Sequence, residues 1–131
     1  MHLFKVEAQD FGGSWFAQET IKVKISSWGL ETQIEAAFQI CFGDDNSFSV
    51  TLEDDNQLKQ YGFNYYKEKN GLDFDRYEVI EKIDNTYHLL LSDSQEEREW
   101  NQKMKINGDA LEFLITLENG NEKVINLIRS R

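Results

Sequence analysis

"DFGGSWFAQE", residues 10–19, is the stretch whose reading decides the fold. Two adjacent glycines, permissive in backbone angle, precede a serine and one of three tryptophans. Read forward, Trp15 and Ala17 fall in register with Ile21, Val23 and Ile25, while Lys22 and Lys24 take the alternate positions. That period of two puts the indole on the apolar face of a strand. Gly12 and Gly13 then read as the bend by which the chain enters that strand.

The same alternation runs through the chain. It is carried by Ile34, Ala36, Phe38, Ile40 and Phe42, and by Phe48, Val50 and Leu52. Tyr61, Phe63 and Tyr65 continue it, as do Tyr77 with Val79 and Tyr87, Leu89 with Leu91. Trp100, Met104 and Ile106 come next, then Leu111, Phe113, Ile115 and Leu117, and a final run from Val124 to Ile128. Turn residues fall between the runs: "GDDNS" (43–47), "EDDNQ" (53–57), "KNG" (69–71), "DN" (84–85), "NG" (107–108) and "ENGN" (118–121). A shift in the parity of apolar positions between Phe74 and Tyr77 predicts a bulge or strand break. The connections 26–33 and 92–99 are long enough for a helical turn. The pattern predicts one all-β domain over 1–131, with about eight or nine antiparallel strands joined in sequence order. Closing such a meander removes its free edges, so an up-and-down barrel is the expected architecture and a β-sandwich the second choice.

Gly13-Ser14-Trp15 at the first strand, ahead of a long meander, resembles the calycin superfamily and its lipocalin-like domains. The resemblance implies that Trp15 plugs the closed end of the barrel and that an arginine of the last strand lies across its ring. Arg129 in "NLIRSR" is the matching position. It also implies, as the alternative function, a lipocalin-like or fatty-acid-binding-like carrier of a small hydrophobic ligand. Arg76 and Arg129 are then the candidates for holding a carboxylate inside the barrel.

The residue inventory argues against an enzyme. The two histidines, His2 and His88, and the single Cys41 leave too few ligands for zinc and no Ser-His-Asp set. Cys41 has the opposite parity to its apolar neighbours, so it reads as a small half-buried side chain, and His88 reads as a strand histidine with an ordinary hydrogen bond. "DDNSFS" begins like a calcium loop, but Phe48 stands at a ligand position. "DFD" (73–75) is a carboxylate pair whose simplest role is to face water. No catalytic residue, metal or cofactor is predicted. One cysteine and a start without a charged apolar leader predict a cytoplasmic location.

The net charge of −10 opposes binding to nucleic acid or to anionic membrane, and favours a basic protein partner. The acids concentrate in turns. Asp44, Asp45, Asp93, Glu96, Glu97 and Glu99 are the predicted partner-binding set, with Glu118 and Glu122 expected near them. Trp28 and Tyr66 are candidate exposed anchors. These features resemble immunity proteins, small acidic domains that neutralise basic toxins such as nucleases. A domain of this kind is expected to be monomeric when unbound.

Overall fold

The period-two runs form strands because each strand buries one face. The computed structural model describes residues 11–24, 29, 31–54, 56–95, 97–116 and 120–129. In chain order the elements are β1 (Gly13–Lys24), β2 (Glu31–Phe42), β3 (Phe48–Leu52), α1 (Gln57–Lys69), β4 (Arg76–Ile83), β5 (Thr86–Ser92), β6 (Glu99–Asn107), β7 (Ala110–Thr116) and β8 (Glu122–Arg129). All eight strands belong to one antiparallel sheet in the order β3-β2-β1-β8-β7-β6-β5-β4. The sheet is an up-and-down meander curled into a half-barrel. Ile25, Trp28, Glu96, Leu117, Glu118 and His2 lie outside the described residues.

The two edge strands, β3 and β4, do not form a ladder. They meet at the isolated Ser47–Arg76 bridge, with Phe48 N–H donating to the Asp75 carbonyl (2.9 Å) and Tyr77 N–H to that of Asn46 (3.0 Å). Further along β3, the Lys67 ammonium donates to the Val50 carbonyl at 3.2 Å, covering an edge acceptor. The parity change between Phe74 and Tyr77 marks the start of β4 rather than a bulge, and a separate register shift lies further on, between Val79 and Glu81. Phe74 lies in the non-strand segment ahead of β4.

The interior is one apolar core in which a cluster of aromatic rings packs beside Leu, Ile, Val and Met side chains. Gly13, at φ +102, turns the chain so that Phe11 folds back into the core. Phe11 makes edge contacts with Phe42, Tyr77 and Tyr87 at centroid distances of 5.0, 5.8 and 4.9 Å. Phe48 stacks on Phe113 at 6.4 Å. Sequence periodicity left Phe11 unassigned, because it lies beyond the glycine bend.

The stretch containing Tyr61, Phe63 and Tyr65 corrects the expectation of a strand: it is the helix α1. Asn56 caps it, its side chain accepting from Leu58 N–H and Lys59 N–H at 3.0 and 3.2 Å. No β-branched residue occurs in "QLKQYGFNYYKEK" to favour a strand. Phe63 and Tyr66, spaced for one helix face, pack on Phe38 of β2. Tyr61 and Tyr65 stand outward, so the aromatic alternation here is not a buried row. Among the described residues of 92–99 there is a turn at 94–95 and no helix, and β2 already begins at Glu31.

Candidate functional site

The acidic turn 43–47 and the described residues of the acidic loop, 93–95 and 97–98, are linked by hydrogen bonds through Asp75. Each is tightly built. In the first, Gly43 N–H donates to the Ser47 carbonyl (2.9 Å) and Ser47 N–H to Asp45 Oδ1 (3.1 Å). Hydrogen bonds from Ser47 hold the Asp45 carboxyl below the ordinary carboxylate value. In the second, Asp93 N–H donates to the Arg98 carbonyl and Glu97 N–H to the Asp93 carbonyl, with Glu97 at φ +57. The segment 73–77 joins the two. Arg76 bridges to Ser47 on one side and pairs with Ser92 on the other. Asp75 accepts from Ser94 through both carboxylate oxygens, at 2.6 Å from Oγ and 3.1 Å from N.

The acids on this surface divide into two groups. Arg98 ion-pairs with Asp73 and Asp93 at 3.0 and 2.8 Å, and its guanidinium lies 5.1 Å from the Phe74 ring centroid. Asp93 also accepts from Gln95 N–H, so this half-buried carboxylate organises its own loop. Asp44, Asp45, Glu97 and Glu99 are exposed. Beneath them, Tyr77 donates its hydroxyl to the Gly43 carbonyl at 3.0 Å. Burial, and then Asp44 and Asp45, raise its phenol above the ordinary value.

Gly13, Trp15 and Arg129 come together at the start of β1, with Trp15 in the core, Arg129 half-buried over it and Gly13 exposed. Trp15 is fully buried and donates Nε1–H to the Phe11 carbonyl at 2.8 Å. The Arg129 guanidinium lies 4.3 Å from the indole ring centroid and donates to the Gly12 carbonyl at 3.2 Å. Arg76 is exposed at the sheet edge, which corrects its placement inside the barrel. Tyr66 is also corrected as an exposed anchor: its hydroxyl is buried and makes no hydrogen bond among the described residues. Burial, with the Glu19 carboxylate adding to it, raises its phenol.

Cys41 and His88 are not brought together. Cys41 is half-buried on β2, its Sγ 3.2 Å from Ser14 Oγ. His88 on β5 contacts Asn101 Oδ1 at 3.2 Å, and four strands separate β2 from β5 in the sheet. Among the described residues no three His, Cys, Asp or Glu side chains converge as a metal site. No helix there is long and apolar enough to cross a membrane.

The sequence reading missed a second acidic surface. An open concavity of about 670 Å³ is lined by Gln18, Glu35, Ala37, Glu53, Asp54 and Lys59. It lies on outward positions of β1 and β2 and at the entry to α1. These residues are dispersed along the chain, and the strand pair Gln18–Ala37 unites them.

No family model, no curated protein and no solved structure matches this chain.

Proposed function

We propose that the protein is a non-enzymatic binding protein that docks on a basic protein partner and occludes it, as an immunity protein neutralises a nuclease toxin. The observation that carries this reading is the filled interior. Aromatic and aliphatic side chains pack the inward rows, which favours recognition on the outside of a chain whose net charge is −10. The joined loops present Asp44, Asp45, Glu97 and Glu99 to solvent, with Glu96 in the same loop by sequence. Their carboxylates would pair with the lysines and arginines by which such a partner holds nucleic acid, and long-range attraction would speed encounter.

The Trp15–Arg129 stack supports a calycin-like ancestry for the half-barrel, and that ancestry is compatible with a surface binder as with a carrier. A carrier of a small apolar ligand would need interior room. The space between the sheet walls is taken by Phe11, Phe42, Phe48, Tyr77 and Phe113. The same reading assigns the protein to the cytoplasm as a monomer awaiting its partner.

The test is a titration against the purified product of the adjacent gene, at about 50 mM and about 300 mM salt. The expected result is binding that weakens as salt rises. It should weaken further in a variant combining Asp44→Asn, Asp45→Asn, Glu97→Gln and Glu99→Gln. No binding, or binding indifferent to salt, overturns the proposal.

A further inference from the structure

We infer that "DFD" (73–75) is a clamp that positions the acidic loop for docking, and that Arg98 is the residue it grips. The inference rests on the proposed reading that the acidic turns meet a basic partner. It names the residues that hold that contact in place rather than make it.

All three residues of the segment bind the loop. Asp73 accepts from the Arg98 guanidinium at 3.0 Å. The buried Phe74 ring has its centroid 5.1 Å from the same guanidinium. Asp75 accepts from Ser94 Oγ at 2.6 Å and from Ser94 N–H at 3.1 Å. The segment is itself fixed to both sides. Asp75 N–H donates to the Ser92 carbonyl at 3.1 Å, and the Asp75 carbonyl accepts from Phe48 N–H at 2.9 Å. The two carboxylates expected to face water are thus used inside the molecule, which corrects that expectation.

The loop needs such a hold. Its own backbone bonds run from Asp93 N–H to the Arg98 carbonyl and from Glu97 N–H to the Asp93 carbonyl. Between them Glu97 sits at φ +57, a left-handed conformation that a non-glycine residue keeps only where its surroundings impose it. Arg98 ties both ends together, since the nitrogen that reaches Asp73 also lies 2.8 Å from Asp93 Oδ2. Asp73 Oδ1 is buried with no hydrogen-bond partner among the described residues, so the Arg98 charge is what balances that carboxylate. A planar guanidinium can lie on Phe74 while bridging two acids, which a compact ammonium does less well. Glu97 and Glu99 flank Arg98 in the chain and are exposed, so the direction of these two acids follows from where Arg98 is held.

Charge and positioning then predict opposite signs. If the acids act through net charge alone, removing the Arg98 cation makes the surface more negative and tightens binding to a basic partner. If Arg98 positions the loop, its removal weakens binding.

The experiment makes two measurements on the full chain with Arg98→Gln, Ser94→Ala and Lys103→Gln. Lys103 is exposed on β6 away from the clamp, so Lys103→Gln removes the same charge without touching the loop. In the free protein, Arg98→Gln and Ser94→Ala should speed amide hydrogen exchange at Asp93 and Glu97 and leave the rest of the sheet protected, while Lys103→Gln should match wild type. In titration against the purified product of the adjacent gene, Arg98→Gln should bind several-fold more weakly than Lys103→Gln, although the two have equal net charge. Ser94→Ala, with no change of charge, should also bind more weakly than wild type, and it carries the test if Arg98→Gln does not fold. Unchanged exchange in the loop, or Arg98→Gln binding as tightly as Lys103→Gln, overturns the inference and leaves the functional reading standing. No binding by the wild type overturns the functional reading and the docking role of the clamp with it.

Discussion

Arg129 and Trp15 are cross-strand partners on β8 and β1, and the guanidinium covers the indole at 4.3 Å from its ring centroid. The pair closes the core where the glycine bend returns Phe11 to the interior. Trp15→Ala should cost about 3–5 kcal/mol of unfolding free energy in urea titration, because the surrounding rings cannot collapse into the space. Arg129→Met keeps the aliphatic stem and removes the charge, so its loss should be smaller, about 0.5–2 kcal/mol. A loss below about 1 kcal/mol for Trp15→Ala would remove the indole from its supposed structural role.

The burial of Trp15 was legible in the sequence because parity places it on the row of Ala17 and Ile21, whereas its pairing with Arg129 was implied only by the calycin resemblance. The strands were legible for the same reason: a sheet with one buried face writes its register into alternate residues. Glu19 interrupts the row without ending it, since its carboxylate pairs with Lys123 at 3.1 Å. Helix α1 was not legible. Three aromatics happened to alternate, while the features that decide for a helix are the Asn56 cap and the packing of Phe63 on the distant Phe38. The joining of the acidic loops was not legible, because strand alternation counts residues 61–65 as a strand where the structure has α1. It is in fact achieved through 73–77, whose hydrogen bonds to Asn46, Phe48 and Ser92 are all non-local. The concavity escaped notice because Gln18, Glu35 and Glu53 meet only after strands pair.

The helix start is open to a direct measurement. Asn56→Ala removes the acceptor for two N–H groups of the first turn and should destabilise the protein by about 1 kcal/mol. Asn56→Asp, which can still accept, should retain most of the stability. If the two variants behave alike, the cap is not what sets the start of α1.

Gly71 ends the α1 connection at φ +68, and a Cβ there would lie 3.2 Å from the Trp100 ring. Gly71→Ala should therefore cost about 1–3 kcal/mol, from backbone strain together with crowding. Trp100→Ala should recover part of that loss when added to Gly71→Ala, so the double variant is less destabilised than the sum of the singles. Strict additivity would assign the whole penalty to the backbone.

Ionisation of Tyr66 is expected to weaken the fold at alkaline pH. Its folded-state phenol is raised by burial and by Glu19, whereas the unfolded phenol titrates at about 10. A raised folded value means the folded state keeps a proton the unfolded state loses. The stability is fully present below the unfolded value and is lost as pH rises from there through the folded value. Lys67 acts in the opposite sense, because burial depresses its ammonium, an effect only partly offset by Asp73. Comparing wild type with Tyr66→Phe isolates the phenol. Near pH 7, Tyr66→Phe should be neutral or more stable by up to about 1 kcal/mol, since it deletes a buried hydroxyl without a hydrogen bond. From about pH 9 to about pH 11 the wild type should lose stability faster than the variant. Phenolate absorbance, compared between wild type and Tyr66→Phe, should show that the wild type has one more tyrosine ionising only as it unfolds. Parallel stability profiles for the two proteins would show that Tyr66 ionises freely in the folded state and is not sealed under α1.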